Sequence, residues 1–344
     1  MKNRLPLWLA KIIYYEYWPV TCFYFPLTLY WLLLSLRARS LTYYTAVNPA
    51  IEHSGFWGNS KGDVLKLIPS EFLPLTLYFS SADKTETILT AMQKAELDFP
   101  VICKPDKGER GFRVEKINSV NELENYVNTS VGEFILQEFI TYPIELGILY
   151  YRLPDGTKSE ITSVTKKEFM SVTGDGVSTV KELMNASLRS RFQLESTTIK
   201  LGNQMNRIFK KGETLIIEPI GNHCRGTEFI NANDLINAQL LTVFDKLASK
   251  MPGFYYGRFD LKVKSLDDLY AGKNIKIMEL NSIASEPAHI YGKGMNLLKA
   301  FQSVLFHSNI IFRIAMQNKK LGIQFTPLFA FIKYLRNHKK ALQA

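Results

Sequence analysis

The sequence is poor in cysteine, and poorer still in the patterns cysteine usually builds. Cys22, Cys103 and Cys224 are widely separated, odd in number and without metal-ligand spacing in a chain of 344 residues. This excludes a disulfide framework and a zinc knuckle, and it fits a reducing compartment. No GxxxxGK[ST] run occurs and no GxGxxG follows a strand, so the two commonest phosphate-cradling loops are excluded. Zinc-finger spacing and RNA-recognition aromatic signatures are also missing. The basic segments adjoin apolar runs instead of base-stacking aromatics, which argues against a nucleic-acid partner. Neither a low-complexity tract nor a repeat of roughly 20–50 residues interrupts the chain. Acidic residues are in the minority, 32 against 42 Lys and Arg, and the net charge of +10 suits an anionic partner: phosphate groups, an acidic substrate or a lipid headgroup surface.

What remains is a globular composition, 46% apolar and 22% charged, in a chain long enough for two compact lobes and some extra segments. From Tyr17 to Leu36 twenty residues pass without a charge, about the length that crosses the hydrocarbon core of a bilayer. Pro19 and Pro26 would kink a spanning helix, and aromatics crowd the first half of the run, as at a membrane–water interface. Three placements stay open: a span, an interfacial or re-entrant helix, and a buried helical hairpin. A cleaved signal peptide is disfavoured, because Arg37 and Arg39 follow the run directly and no small-residue cleavage site does. Those arginines favour a cytoplasmic exit, but Lys2, Arg4 and Lys11 on the other side leave the orientation open. In the tail, apolar faces adjoin Lys319, Lys320, Lys333, Arg336, Lys339 and Lys340, which suits either a membrane surface or a cap on the core. The expected organisation is a membrane-associating leader over 1–40, a short first lobe over 41–80, a catalytic body over 81–294 and a basic amphipathic helical tail over 295–344.

Within the body, helical spacing of Ile88, Leu89, Met92 and Ala95 predicts a helix over about 83–97, followed by strand VICKP. Ser119 and Glu122 form a capping-box pattern. Alternating runs on either side of Pro154-Asp155-Gly156 predict a hairpin, and a second pairs YGRFDLKVK with IKIMELN, after a helix over about 233–251. Helices with mainly antiparallel hairpins predict an α+β fold.

Two constellations carry chemistry. Lys104 ends an apolar strand ahead of Lys107, Gly108 and Gly111, a lysine held over a flexible loop whose amides can fold onto phosphate oxygens. Arg258 with Asp260, and Glu279 with Asn281, are spaced i, i+2 and share a face of their strands. Paired in a hairpin, Asp260, Glu279 and Asn281 converge as hard oxygen ligands suited to Mg²⁺, beside an arginine for a developing anion.

In this order the pieces resemble the ATP-grasp enzymes, over roughly Lys61 to Asn281. FPVICKPDKGERG looks like the family's phosphate-binding lysine and glycine-rich loop, ILQEFITYPIE like its adenine hinge, and RFD with ELN like its magnesium-binding hairpin. TGDGVSTVKEL is similar to a segment of cyanophycin synthetase and bifunctional glutathione synthetase, and GNHCRGTEF to the arginine-bearing segment of ribosomal-protein glutamate ligase. SIASEP after Asn281 departs from the serine–proline–glycine pattern of D-alanine–D-alanine ligase and puts that dipeptide product in doubt. The resemblance implies two α+β lobes gripping ATP. Lys61, Lys104, Lys107, Gly108 and Gly111 would contact phosphates, and Glu138, Phe139, Ile140 and Thr141 the adenine. Glu145 would bind the ribose, and Arg225 the triphosphate or acyl phosphate. Mg²⁺, or Mn²⁺ in its place, would sit on Asp260, Glu279 and Asn281, with Arg258 at the reacting centre. The implied activity is ligation of a carboxylate to an amine through an acyl phosphate, on small or lipid-linked substrates at the inner face of a membrane. A kinase on the same fold and a non-catalytic ATP-binding regulator are the alternatives.

Overall fold

The computed structural model describes residues 5–108, 111–221, 223–292 and 294–341. Its eleven strands are β1 (Thr76–Ser80), β2 (Val101–Pro105), β3 (Glu115–Ile117), β4 (Glu133–Glu138), β5 (Ile144–Arg152), β6 (Ser159–Glu168), β7 (Ser171–Thr173), β8 (Thr214–Ile216), β9 (Glu228–Asn231), β10 (Tyr256–Val263) and β11 (Ile275–Asn281). They form a four-stranded sheet β1-β4-β2-β3, a five-stranded sheet β11-β10-β5-β6-β9 and the small pair β7-β8, with every pairing antiparallel. The α+β expectation holds.

The first sheet is half-covered. Helices Thr85–Lys94 and Val120–Thr129 bring Ile88, Met92, Leu123, Tyr126 and Val127 onto the face that Val101, Cys103, Phe134 and Leu136 present. The two-residue period of the strands puts Lys104 on the opposite face. Ser119 caps its helix as predicted, its hydroxyl accepting from the Glu122 amide at 3.3 Å; the Glu122 carboxylate accepts instead from the Asn118 amide at 2.7 Å, one residue before the position a closed box requires. β1 lies within the predicted first lobe but pairs along β4. A strand's partner is chosen across the fold and not by local composition.

The second sheet packs one face against helices Ala238–Ser249 and Leu266–Ala271, where Leu146, Ile148, Tyr150, Phe259, Leu261 and Ile277 meet Leu240, Phe244 and Leu247. Its other face is divided. Leu149, Tyr151 and Tyr256 share a core with Leu34, Ala38, Ile310, Ile314 and Phe331 of the leader and tail, whereas Glu145, Arg258, Asp260, Lys262 and Lys167 make up a polar half. The tail contains the helices Leu297–Lys320 and Leu328–Ala341. Within the leader, Pro19 precedes a helix at Val20–Tyr24, and a 3-10 turn at Phe25–Leu27 containing Pro26 joins it to the helix Thr28–Ala38. Phe23, Leu27, Leu34 and Ala38 are buried, while Phe25, Leu29, Leu32, Leu33 and Leu36 are exposed. Among the described residues Val20–Ala38 is the one stretch long and apolar enough to cross a membrane.

Candidate active site

Five residues, 139–143, connect β4 of the first sheet to β5 of the second, so the predicted hinge is the joint between the lobes. Ile140 is buried, and its carbonyl accepts from Lys262 Nζ at 2.9 Å. The Phe139 ring lies 4.2 Å from the Lys116 ammonium and 5.3 Å from that of Lys262. Glu138 closes on β1: its amide donates to the Leu75 carbonyl at 2.8 Å and its carboxylate accepts from the Leu75 amide at 3.1 Å. Thr141 is exposed.

Lys104 reaches from the first lobe to the second. Its ammonium donates to Gln137 Oε1 at 3.0 Å and to the Met278 carbonyl at 2.9 Å. That carbonyl is free because β11 bulges there: Asp260 faces Glu279, but Leu261 faces Ile277, and Met278 is the extra residue. Burial disfavours the charge and lowers the Lys104 pKa to about 8, Glu279 opposing the shift and Lys61 adding to it.

Lys61 and Arg225 meet the glycine loop at its two ends. Lys61 opens a short helix whose Ser60 cap accepts from the Asp63 amide. Its ammonium donates to the carbonyls of Gly108 at 2.6 Å, Pro105 at 3.2 Å and Asp106 at 3.3 Å. Arg225 donates to the carbonyls of Gly111 at 2.7 Å and Val114 at 3.2 Å. Both cations therefore brace the loop backbone, and a phosphate would have to draw them from these carbonyls. Gly111 has φ +74°, which glycine adopts without strain, and Lys107 is exposed. Glu109 and Arg110 of this motif, and Asn222 beside Arg225, lie outside the described residues.

On the polar half of the second sheet, Arg258 grips Asp260 with Nε to Oδ1 at 2.9 Å and Nη2 to Oδ2 at 3.2 Å. Lys167 sits 3.4 Å from Asp260 and 3.3 Å from Glu145, and all three side chains are at most 7% exposed. Lys262 adds a longer contact of 3.8 Å to Glu145. Burial penalises these charges, but their partners outweigh it: the Asp260 pKa is held down by Arg258 and Lys167, and the Lys167 pKa is raised by Asp260 and Glu145. Lys262 follows the other sign, burial lowering its pKa against Glu145. Two glycines make room. A Cβ at Gly147 would come within 3.1 Å of Asp260 Oδ1, and one at Gly221 within 1.9 Å of Glu145 Oε1.

Glu279 stands opposite Asp260, and Asn281 opposite Arg258, so all four share one face as predicted. The Asn281 amide donates to Asp260 Oδ2 at 3.2 Å. Glu279 makes no hydrogen bond or ion pair among the described residues, although Lys104, Lys167 and Arg258 all feel its charge. No group of three His, Cys, Asp or Glu able to hold a metal occurs among the described residues, because the third oxygen donor here is an amide. The donors fit a hard cation, but Asp260 is already neutralised by Arg258 and Lys167. Counting Lys104 and Lys262, four cations face four carboxylates, Asp260, Glu279, Glu145 and Glu286, the last felt by Arg258. The charges are close to balanced, so a divalent ion would enter together with an anion such as phosphate.

The arrangement thus brings together Lys104, Arg258, Asp260, Glu279 and Asn281 across the joint. It gives Glu145 a buried ion-pair role beneath them, so a ribose contact would require one of its oxygens to be shared. Lys167 and Lys262 were not among the residues singled out from sequence. Lys262 had a signal, since it continues the i, i+2 series of Arg258 and Asp260; Lys167 had none short of knowing that β6 pairs with β5.

No family model and no curated protein matches the sequence. Among solved structures, the VanG D-Ala:D-Ser ligase from Enterococcus faecalis is 15% identical over 74% of this chain and 61% of its own, at a TM-score of 0.43. The bifunctional glutathione synthetase from Pasteurella multocida is 17% identical over 72% of this chain and 35% of its own, at 0.39. The D-alanine–D-alanine ligase from Bacillus anthracis is 14% identical over 76% and 67%, at 0.40. The chain spans less than two thirds of the length of the first two.

Proposed function

We propose that this chain is an ATP-grasp-type ligase that activates a carboxylate as an acyl phosphate for attack by an amine. The observation that carries the reading is the joint itself: a hinge between two antiparallel lobes, with Lys104 of one lobe bonded to the β11 bulge of the other beside Arg258, Asp260, Glu279 and Asn281. Such a site suits phosphoryl transfer, which needs positioning and charge neutralisation more than covalent help from the protein. ATP lies between the lobes against the 139–141 backbone, with Lys104 on its phosphates and Lys61 and Arg225 holding the loop that covers them. Glu279, Asn281 and Asp260 would hold Mg²⁺, which when bound neutralises phosphate oxygens. A substrate carboxylate oxygen takes the γ-phosphoryl group and ADP leaves. The amine then adds to the acyl carbon, Arg258 stabilises the oxyanion, and loss of inorganic phosphate with a proton from nitrogen yields the amide.

The test incubates the protein with Mg-ATP, a panel of carboxylic acids and hydroxylamine as trap, following ADP, phosphate and hydroxamate. Acid-dependent ADP release with hydroxamate, abolished by Glu279→Ala, is the expected result. Because Lys104, Lys167 and Arg258 all lose the Glu279 charge in this variant, its fold is checked by near-ultraviolet circular dichroism before the loss of turnover is read. ADP with a stable phosphorylated alcohol would make the protein a kinase, and tight ATP binding without turnover a regulator; either outcome overturns the proposal.

A further inference from the structure

We propose that the leader rests on an anionic lipid surface as an interfacial helix and does not cross it. The helix Thr28–Ala38 is apolar nearly all round, Thr28, Ser35 and Arg37 excepted, and such a helix is normally buried throughout. Here only one side is. Leu34 and Ala38 share a core with Ile310, Ile314 and Phe331, and Phe23 and Leu27 share another with Ile290, Ala300 and Val304. The opposite side, Phe25, Leu29, Leu32, Leu33 and Leu36, forms a stripe at helical spacing, with Phe25, Leu29 and Leu36 about three-quarters exposed (76%, 75% and 76%). A spanning helix would have to leave both cores. Moreover, the run Val20–Ala38 that is long enough to cross is divided by the 3-10 turn at Phe25–Leu27, and its longer α-helical piece, Thr28–Ala38, extends roughly 16 Å, about half the hydrocarbon thickness.

Charge selects the occupant. Glu16 is the only acidic side chain in the first fifty residues, and it is paired with Arg189 at 2.7 Å. Arg37 and Arg39 border the stripe at its C-terminal end and are exposed, as is Lys11 beside the exposed Trp8 and Ile12. Anionic headgroups complement that border, whereas a second copy of the same face would set like charges together. The inner side of the segment meets the candidate site: Tyr24 donates to the Glu286 carboxylate at 2.5 Å, and the Glu286 carbonyl accepts from Arg258 at 3.2 Å. On the functional reading above, the lipid surface therefore backs one wall of the catalytic pocket and suits an amphiphilic substrate.

The test is sedimentation of the full chain with vesicles of phosphatidylcholine, with and without phosphatidylglycerol, and it needs no catalysis. The protein is expected to bind the anionic vesicles more tightly, less so at high salt. Leu29→Glu/Leu33→Glu, changing exposed positions only, is expected to weaken binding by more than about a hundredfold, roughly tenfold or more per leucine, with an unchanged near-ultraviolet circular dichroism spectrum. Absence of binding by the unmodified chain, or binding unaffected by the double variant, would overturn the proposal. So would resistance to alkaline carbonate extraction, which marks a span, or a wild-type dimer that the variant converts to monomer, which marks a protein interface.

Discussion

Lys104→Met tests the site from a buried charge that spans the joint. In the folded chain burial lowers the Lys104 pKa to about 8, against 10.5 for an unhindered lysine. Below about pH 8 the ammonium is charged in both states, and the full desolvation penalty weighs on the fold. Between about 8 and 10.5 the folded side chain loses its proton while the unfolded one keeps it, so stability rises with pH. Above that range both forms are neutral and the effect is complete. A gap of this size corresponds to about 3 kcal/mol. Urea unfolding across this range is expected to show the rise in the wild type and to lack that component in Lys104→Met. Under the proposed function the same ammonium meets phosphate, and an anion holds its proton on. ATP affinity is therefore expected to fall as pH rises above about 8 in the wild type. In the methionine variant it is expected to be roughly tenfold to a hundredfold weaker at neutral pH, the loss of one charge-assisted hydrogen bond. If the variant keeps the alkaline rise, the burial argument fails; if it binds ATP as tightly as the wild type, Lys104 does not touch the nucleotide.

Asp260→Ala leaves Arg258 and Lys167 facing an empty position in a nearly dry pocket, and a loss of about 3–5 kcal/mol is expected in urea unfolding; a loss under about 1 kcal/mol would show that water reaches the pair. Because the folded Asp260 pKa lies below its ordinary value of 3.8, its stabilisation is complete above that pH and is lost as pH falls through the folded value, so the wild type is expected to show an acid-unfolding component that the alanine variant lacks. Gly221→Ala would set a methyl carbon 1.9 Å from Glu145 Oε1 and 3.0 Å from Lys167 Cδ, in side chains already tied by ion pairs. An overpacking cost of about 1–3 kcal/mol is expected, and wild-type stability in that variant would mean the 218–221 segment moves freely away from the sheet.

By itself the sequence determined the local pieces. Alternation in RFDLK and MELN placed their polar residues on one strand face, because the strand period is two whatever the sheet around it. Spacing set the helix near 83–97, and the Ser119 hydroxyl set a helix start, because helical periodicity and capping are contacts within a few residues. Two prolines marked where the apolar leader breaks. Tertiary structure alone decided which pieces meet. Lys167 reaches Glu145 and Asp260 only because β6, β5 and β10 are neighbours, and the Met278 carbonyl is available to Lys104 only because β11 bulges against β10. Lys61 and Arg225 were expected on phosphates from the resemblance, yet both are directed at loop carbonyls from segments more than a hundred residues apart in the chain. The stripe at Leu29, Leu32, Leu33 and Leu36 was likewise indistinguishable from the rest of its helix until packing buried the other side. Periodicity is a property of neighbours along the chain, whereas pairing, burial and charge compensation belong to residues that only the fold makes neighbours.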